Sequence, residues 1–173
     1  MAEDITKTSS FDLRYTEMQD EKHLLQWLED PSVLQWFPMN SKEETLQFTK
    51  NWIGFSRFKC SLTATVEHVP RGIGTLFLMP YRKVAHLCMV YLAVDPKYQR
   101  RGIGSSLVKN LGHLAHNYFR LESMHFELYE GCPLIPLLQK FGYYECFRQE
   151  KFVKDSQGNY LARHIFEVSF LHD

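Results

Sequence analysis

Apolar residues recur along the chain with two different periods, and this pattern predicts alternating groups of helices and strands. A short strand is predicted over residues 11–16, followed by two helices with amphipathic spacing. Asp20 is the predicted N-cap of the first helix, and Asp30-Pro31 is its predicted end. The second helix is predicted to begin at Ser41, because the sequence Ser-Lys-Glu-Glu has the form of a capping box.

Three strand-like runs then cover residues 60–66, 72–79 and 84–94, separated by turn-forming Pro and Gly residues. Their close succession predicts an antiparallel meander. The third run is almost entirely apolar, which indicates a strand that is covered on both faces. We therefore expect residues 84–94 to lie in the centre of the sheet.

The second half of the chain also contains helix-like and strand-like runs, which follow a basic, glycine-containing turn. A long amphipathic helix is predicted from Ile103 to about Tyr118, and strict alternation around Phe126 predicts a strand. A short helix ending at Gly142 and two aromatic strands, roughly 143–152 and 161–171, complete the pattern. The sequence thus predicts an α/β (α+β) fold in which a mixed, mostly antiparallel sheet of about seven strands carries about four helices.

Composition narrows the class of protein. The chain has 173 residues, of which 45% are hydrophobic, and no linker or repeat, so we expect a single domain over 1–173 with residues 1–10 flexible. Its formal net charge of zero argues against a general attraction to nucleic acid or to an anionic membrane. No signal peptide or membrane-spanning run is visible, which favours a cytoplasmic protein.

The four cysteines are widely spaced and include no C-x-x-C pair, so we expect buried, reduced thiols. They are Cys60, Cys88, Cys132 and Cys146. His113 and His116 lie three residues apart but have no further ligand cluster near them in sequence. We therefore expect no metal site.

The segment Gln99-Arg-Arg-Gly-Ile-Gly104 carries the clearest chemistry. It joins a strand to a helix, where unpaired backbone N–H groups and the positive end of the helix dipole bind anions. Gly102 and Gly104 leave room for a phosphate to reach these N–H groups, and the arginines supply positive charge. A Walker loop is disfavoured because no lysine follows Gly104 before Lys109, and Leu107 replaces the third glycine of a dinucleotide fingerprint.

This segment resembles the [QR]-x-x-G-x-[GA] pyrophosphate loop of the GNAT superfamily of acetyl-CoA-dependent N-acetyltransferases. The preceding Val94-Asp-Pro-Lys-Tyr98, the Phe141-Gly-Tyr143 helix end and the order of the predicted elements are also similar to that superfamily. The resemblance implies a sheet that is splayed at the acetyl-CoA site. It also implies acetyl-CoA as co-substrate and acetyl transfer to a primary amine by direct attack, without a covalent enzyme intermediate.

The resemblance also assigns site residues. Leu92 and Val94 would pair with pantetheine through their backbones, and the Leu92 N–H would stabilise the oxyanion. The pyrophosphate would be held by a continuous loop, consisting of Gln99, Arg100, Arg101, Gly102, Ile103, Gly104 and Ser105.

The proton-transfer groups depart from the usual pattern. The glutamate that many members carry on the central strand is replaced here by Cys88, and the usual tyrosine acid by Leu138. A branch that resembles the N-terminal acetyltransferases of ribosomal proteins places a glutamate where this chain has Glu127, which is therefore the predicted general base. Glu127 can equally be a salt-bridged strand residue. Tyr129 or Tyr143 is the candidate acid, with Tyr144 or water as the alternative.

The acceptor stays open at this level. Trp36, Phe37 and Met39 fall where the superfamily builds its acceptor pocket, although such residues also serve in hydrophobic cores. A protein N-terminus, a polyamine, an amino sugar and a small metabolite are all candidate acceptors, and the protein could be a monomer or a homodimer. A second hypothesis is a non-catalytic acyl-CoA sensor or scaffold. Nucleic-acid binding is disfavoured because Arg100 and Arg101 alone make a poor electrostatic footprint.

Overall fold

Seven strands form one sheet in the computed structural model, which describes residues 3–171. The strands are β1 (Phe11–Tyr15), β2 (Ser61–Val66), β3 (Val69–Leu78), β4 (Leu87–Val94), β5 (Ser123–Tyr129), β6 (Tyr144–Lys154) and β7 (Tyr160–Ser169). The α-helices are α1 (Glu21–Leu28), α2 (Pro31–Leu34), α3 (Lys42–Gly54), α4 (Ile103–His113) and α5 (Leu134–Lys140). The predicted mixed fold with a seven-stranded sheet is thus confirmed.

The strand order is β1-β2-β3-β4-β5-β7-β6, and every neighbouring pair is antiparallel except β4 and β5. The predicted meander β2-β3-β4 is confirmed, and β4 is the middle strand. Tyr91 and Ala93 pack towards α1 and α3, whereas Val90 and Leu92 contribute to clusters with α4 on the opposite face. Coverage of both faces explains why this strand is almost continuously apolar.

Helix α4 packs closely against β3 because β3 has glycines where the two elements touch. A Cβ atom at Gly74 would lie 2.6 Å from a methyl group of Leu111, and one at Gly72 would lie 2.8 Å from Ile103. Both α4 residues are fully or almost fully buried. This close approach fixes the helix axis, and with it the position of the first turn of α4 above the end of β4.

Helix α2 was not predicted, since the sequence pattern ended one helix at Asp30-Pro31 and began the next at Ser41. The Asp30 side chain accepts the Ser32 N–H at 2.9 Å, and Pro31 occupies the first helical turn. The same dipeptide that ends α1 therefore begins another helix. Asp20 stands at the predicted N-cap position of α1, but its side chain makes no capping hydrogen bond to that helix, because its carboxylate pairs with Arg14 at 2.8 Å.

The predicted N-cap at Ser41 is confirmed, with its hydroxyl accepting the Glu44 N–H at 3.1 Å. Of the segment 1–10 predicted to be flexible, residues 1 and 2 lie outside the described residues, and Ile5–Lys7 form a single 3-10 turn. The flexibility of the segment 1–10 stays a prediction. No helix within residues 3–171 has both the length and the apolar character needed to cross a membrane.

Candidate active site

Strands β4 and β5 separate partway along their length. They pair in parallel only from Leu87 opposite Ser123 to Met89 opposite His125, although both strands continue beyond these positions. A cavity of about 550 Å³ lies at the resulting gap and is lined by residues 90–94 and 126–129. The β4 peptide groups that face β5 there have no strand partner, so they are available to a ligand.

The first turn of α4 forms one end of the cavity. The first hydrogen bond of the helix runs from the Ser106 N–H to the Gly102 carbonyl at 3.0 Å, so the N–H groups of residues 103–105 precede it. Gly104 and Ser105 line the cavity, as does Arg100. The positive end of an 11-residue helix therefore faces the cavity beside a guanidinium group.

The nine cofactor-binding residues predicted from sequence divide into two groups. Seven of the predicted residues line the cavity, namely Leu92, Val94, Gln99, Arg100, Gly102, Gly104 and Ser105. Arg101 instead stacks its guanidinium 5.1 Å from the centre of the Tyr98 ring, and the Ile103 side chain is buried in the core. Only the backbone of Ile103 can therefore serve a ligand.

A cluster of three residues supports this loop from outside. Arg71 donates to the Asp95 carboxylate at 2.9 Å and lies 4.1 Å from the centre of the Tyr98 ring. Asp95 also accepts the Lys97 N–H at 3.0 Å, which begins the turn before Gln99. The loop conformation is thus fixed by an ion pair and an aromatic contact rather than by its own residues alone.

The N-terminal segment packs on the same loop. The Ile5 N–H donates to the Arg101 carbonyl at 3.2 Å. Gly102 has φ of +90°, and a Cβ atom there would lie 2.5 Å from the Asp4 carboxylate. Glycine is required at this position by both its backbone conformation and the proximity of Asp4.

Glu127 lies at the opposite end of the cavity. Its carboxylate is about one-third exposed and accepts a hydrogen bond from Arg163 at 3.3 Å. Arg163 also donates to Gln149 at 2.8 Å, and its guanidinium lies 4.1 Å from the centre of the Phe152 ring. Glu127 is therefore both salt-bridged and accessible from the cavity.

The two candidate acids occupy different environments. Tyr129 lines the cavity, and burial, with smaller effects of Tyr91 and Glu127, raises the pKa of Tyr129 to about 12. Tyr143 lies in the core, 5.6 Å from Phe126 between ring centres, and does not line the cavity. Burial also raises the pKa of Tyr143. Both hydroxyls stay protonated at neutral pH, and only that of Tyr129 belongs to a cavity-lining residue.

The two residues that replace the usual proton-transfer groups are core residues. Cys88 and Leu138 are fully buried and do not line the cavity. Cys132 does line it, but burial raises the pKa of this thiol to about 11. It is therefore a neutral thiol near pH 7, which disfavours nucleophilic catalysis. Cys146, in contrast to the predicted burial of all four cysteines, is exposed on β6, a strand at the edge of the sheet.

The predicted acceptor wall is only partly assembled at this cavity. Trp36 and Phe37 line it, and the tip of the Trp36 indole is 3.9 Å from where a Cβ atom would lie at Gly131, just beyond β5. Phe37 packs against Tyr91 with 6.0 Å between ring centres. Met39 is buried beside α1 and α3, and it borders a separate shallow depression.

Phe152 and Arg163 at this end were not identified from the sequence, and the side chain of Tyr91 was given no role. Tyr91 and Phe152 line the cavity, and Arg163 binds Glu127 from β7. Tyr91 precedes Leu92 in β4, so its side chain lies on the other face of that strand. Phe152 and Arg163 carried no local signal because they reach Glu127 from strands distant in sequence. Within residues 3–171, no group of three or more His, Cys, Asp or Glu side chains could hold a metal ion.

Comparison with known proteins agrees with this architecture. Residues 60–145 match the family model described as an acetyltransferase (GNAT) domain. An acetyltransferase of the GNAT family from Streptococcus pneumoniae is 17% identical, with TM-score 0.75 over 92% of this chain and 99% of its own. The ribosomal-protein-alanine N-acetyltransferase from Brucella melitensis is 18% identical, with TM-score 0.75 over 92% and 99%.

A third similar structure is that of yncA from Salmonella typhimurium with its cofactor acetyl-CoA. It is 13% identical, with TM-score 0.76 over 95% of this chain and 96% of its own. At these identities, the structural likeness establishes the fold. No curated protein sequence gives a significant match.

Proposed function

The chain belongs to the GNAT family of acetyltransferases, and from this premise we propose that it transfers an acetyl group from acetyl-CoA to a primary amine. The observation that carries the proposal is one continuous cavity that joins the first turn of α4 to the carboxylate of Glu127 along the open edge of β4. This single ligand-sized space supports the proposal that the α4 turn binds an anion and that Glu127 accepts a proton.

The residues present fit acetyl-CoA. The N–H groups at residues 103–105, together with Arg100, would hold the pyrophosphate. Gln99 would border it, since this residue lines the same cavity. The free edge of β4 at Leu92 and Val94 would pair with the amide groups of pantetheine. This arrangement directs the thioester towards Glu127.

The proposed reaction is direct acyl transfer. Glu127 accepts a proton from the substrate ammonium, directly or through water, and frees the nitrogen lone pair. The nitrogen attacks the thioester carbonyl carbon, so a C–N bond forms and the C–S bond breaks. The Leu92 N–H stabilises the negative charge that develops on the carbonyl oxygen.

The departing thiolate then needs a proton. Tyr129 would supply it, because its hydroxyl is protonated at neutral pH and its side chain lines the cavity. The second proton of the attacking nitrogen restores Tyr129. Each turnover thus converts an ammonium and acetyl-CoA into an acetamide, CoA thiol and one released proton.

A cytoplasmic location of the protein stays a prediction.

One observation favours a second function. Cys88 and Leu138 are fully buried, and Glu127 is bound to Arg163, so the usual proton-transfer groups are replaced or engaged. A protein of this kind could bind acyl-CoA without turnover, as a sensor or scaffold.

Thiol release distinguishes the two functions. Acetyl-CoA is mixed with the protein and a panel of primary amines, free thiol is followed with a chromogenic disulfide, and acetylated product is identified by mass spectrometry. The proposal expects thiol and acetamide in equal amounts with at least one amine. Binding of CoA without thiol release from any amine would establish the sensor function instead.

A further inference from the structure

Strand β6 changes its register beside the candidate active site. Gln149 lies opposite Arg163 and Val153 opposite Leu161, so three residues of β6 face a single residue of β7 between these positions. Lys151, in the middle of the three, has φ of +55°. A bulge of this kind re-aims the neighbouring side chain, and bulges of this type are common next to active sites.

The side chain aimed by this bulge is Phe152, which lines the cavity although it is 44% exposed. The Arg163 guanidinium stacks 4.1 Å from its ring centre, and Gln149 holds that guanidinium at 2.8 Å. The ring is therefore supported on one side while much of its surface remains uncovered. An aromatic ring presented in a cavity favours a flat apolar ligand, because covering it removes apolar surface from water.

Other aromatic side chains surround the same end. Trp36, Phe37, Tyr91 and Tyr129 all line the cavity near Glu127. The packing of Phe37 and Trp52 against Tyr91, with 6.0 and 5.5 Å between ring centres, limits their movement. This end of the cavity is thus a preformed aromatic site rather than a flexible surface.

Charge restricts the ligand further. Among the lining residues that the structure describes, Glu127 on β5 is the only carboxylate, and Arg100, in the loop before α4, is the only cation. A polyamine would bring additional ammonium groups without carboxylate partners, and an amino sugar would bring several hydroxyl groups to an apolar wall. Unpaired polar groups of this kind are costly to desolvate.

We infer that the acceptor is a monoamine whose single amino group is carried by an aromatic or similarly flat apolar body, and that Phe152 is a specificity-determining residue for it. This inference rests on the proposed function and adds the class of acceptor. The amino group lies at Glu127, and the apolar body contacts Phe152 and Trp36.

The test compares acceptors at saturating acetyl-CoA. Phenethylamine, spermidine, glucosamine and a peptide with an N-terminal alanine are assayed for kcat and KM. We expect kcat/KM for phenethylamine to be at least about tenfold higher than for the other three. A value for spermidine, glucosamine or the peptide that equals or exceeds it overturns the inference.

Two variants complete the test. Phe152→Ala is expected to raise the KM for phenethylamine by about tenfold, with an unchanged dissociation constant for CoA. Phe147→Ala is the matched control, since Phe147 is also an exposed β6 aromatic near Arg163, at 5.9 Å, but does not line the cavity. Its expected change is below about twofold. Equal effects of the two variants overturn the role of Phe152.

A binding measurement separates this inference from the proposed function. Calorimetric titration of phenethylamine into the CoA-bound protein does not require turnover. If no amine releases thiol but phenethylamine binds and Phe152→Ala weakens that binding about tenfold, the proposed function fails and the ligand class holds. Turnover of another acceptor without detectable phenethylamine binding would support the proposed function and overturn the inferred ligand class.

Discussion

The two ends of the cavity are built in different ways but rest on similar supports. The α4 end presents backbone N–H groups, whereas the Glu127 end presents side chains from several elements. Behind each end lies a partly buried arginine that pairs with a carboxylate and stacks 4.1 Å from an aromatic ring centre. Arg71, Asp95 and Tyr98 form one set, and Arg163, Glu127 and Phe152 form the other.

The difference between the two sets teaches where chemistry is expected. Asp95 is almost fully buried and also caps a turn, so its ion pair fixes a loop. Glu127 is about one-third exposed and its contact to arginine is longer, at 3.3 Å against 2.9 Å. The first carboxylate is structural, and the second is accessible to a substrate.

The largest expected effect comes from removing the accessible carboxylate. Glu127→Gln should lower kcat by about 10²–10⁴-fold, because the amide cannot accept the ammonium proton. The dissociation constant for CoA, measured by calorimetry, should remain within about twofold of the original, since the Glu127 carboxylate is bonded to Arg163 of β7 and not to the α4 turn. Asp95→Asn is the comparison variant and should weaken CoA binding. Unchanged turnover of Glu127→Gln at all pH values would contradict its role as base.

The glycines of the loop should differ in a graded way. Gly102→Ala is expected to weaken CoA binding by about 5–150-fold, because φ of +90° is strained for alanine and Asp4 obstructs the new methyl group. Gly104→Ala should be much milder, since a Cβ atom there would make only ordinary contacts at 3.8 Å or more. Fluorescence or calorimetric titration with CoA measures both. A greater loss in Gly104→Ala would contradict the assigned loop geometry.

Replacing each of the two supporting arginines should impair a different function, CoA binding for Arg71 and the reaction with the amine for Arg163. Arg71→Met should raise the dissociation constant for CoA by about fivefold with kcat nearly retained, because the loop loses an ion pair and a cation–π contact. Arg163→Met should lower kcat/KM for the amine by a similar factor, about fivefold, and leave CoA binding unchanged. Thermal unfolding of both variants controls for a general loss of stability. If both variants lose the same function, the two ends are not separate.

The smallest expected effect is that of the cavity thiol. Cys132→Ala should change kcat by less than about twofold, because a thiol with a pKa of about 11 is neutral at the pH of the assay. Mass spectrometry of the protein after incubation with acetyl-CoA should show no acetylated Cys132. A stable acetyl adduct on this residue would instead indicate a covalent intermediate.

The same contrast explains what the sequence could predict. The turn at Gly102, the helix that follows and the central position of β4 depend on neighbouring residues, so their local patterns were sufficient. Phe152 and Arg163 become part of the site only when β6 and β7 fold back beside β5. Their positions depend on a bulge and a strand order that have no local signature in the sequence.

Some elements were obscured by residues with two roles. Asp20 occupies the cap position of α1, but its carboxylate accepts hydrogen bonds from Arg14 and Thr63 instead of capping that helix. Such a choice depends on β1 and β2, which bring Arg14 and Thr63 to the residue before α1. The predicted acceptor pocket is a second example, because Met39 is close in sequence to Trp36 but is buried in another hydrophobic cluster.

The claim that backbone groups hold the cofactor is tested most directly by following the amide resonances of the protein during titration with CoA. The largest chemical-shift changes are predicted at residues 103–105 and at Leu92 and Val94, with small changes at Glu127 and Phe152. Saturable CoA binding that leaves residues 103–105 unperturbed would contradict this account of the site.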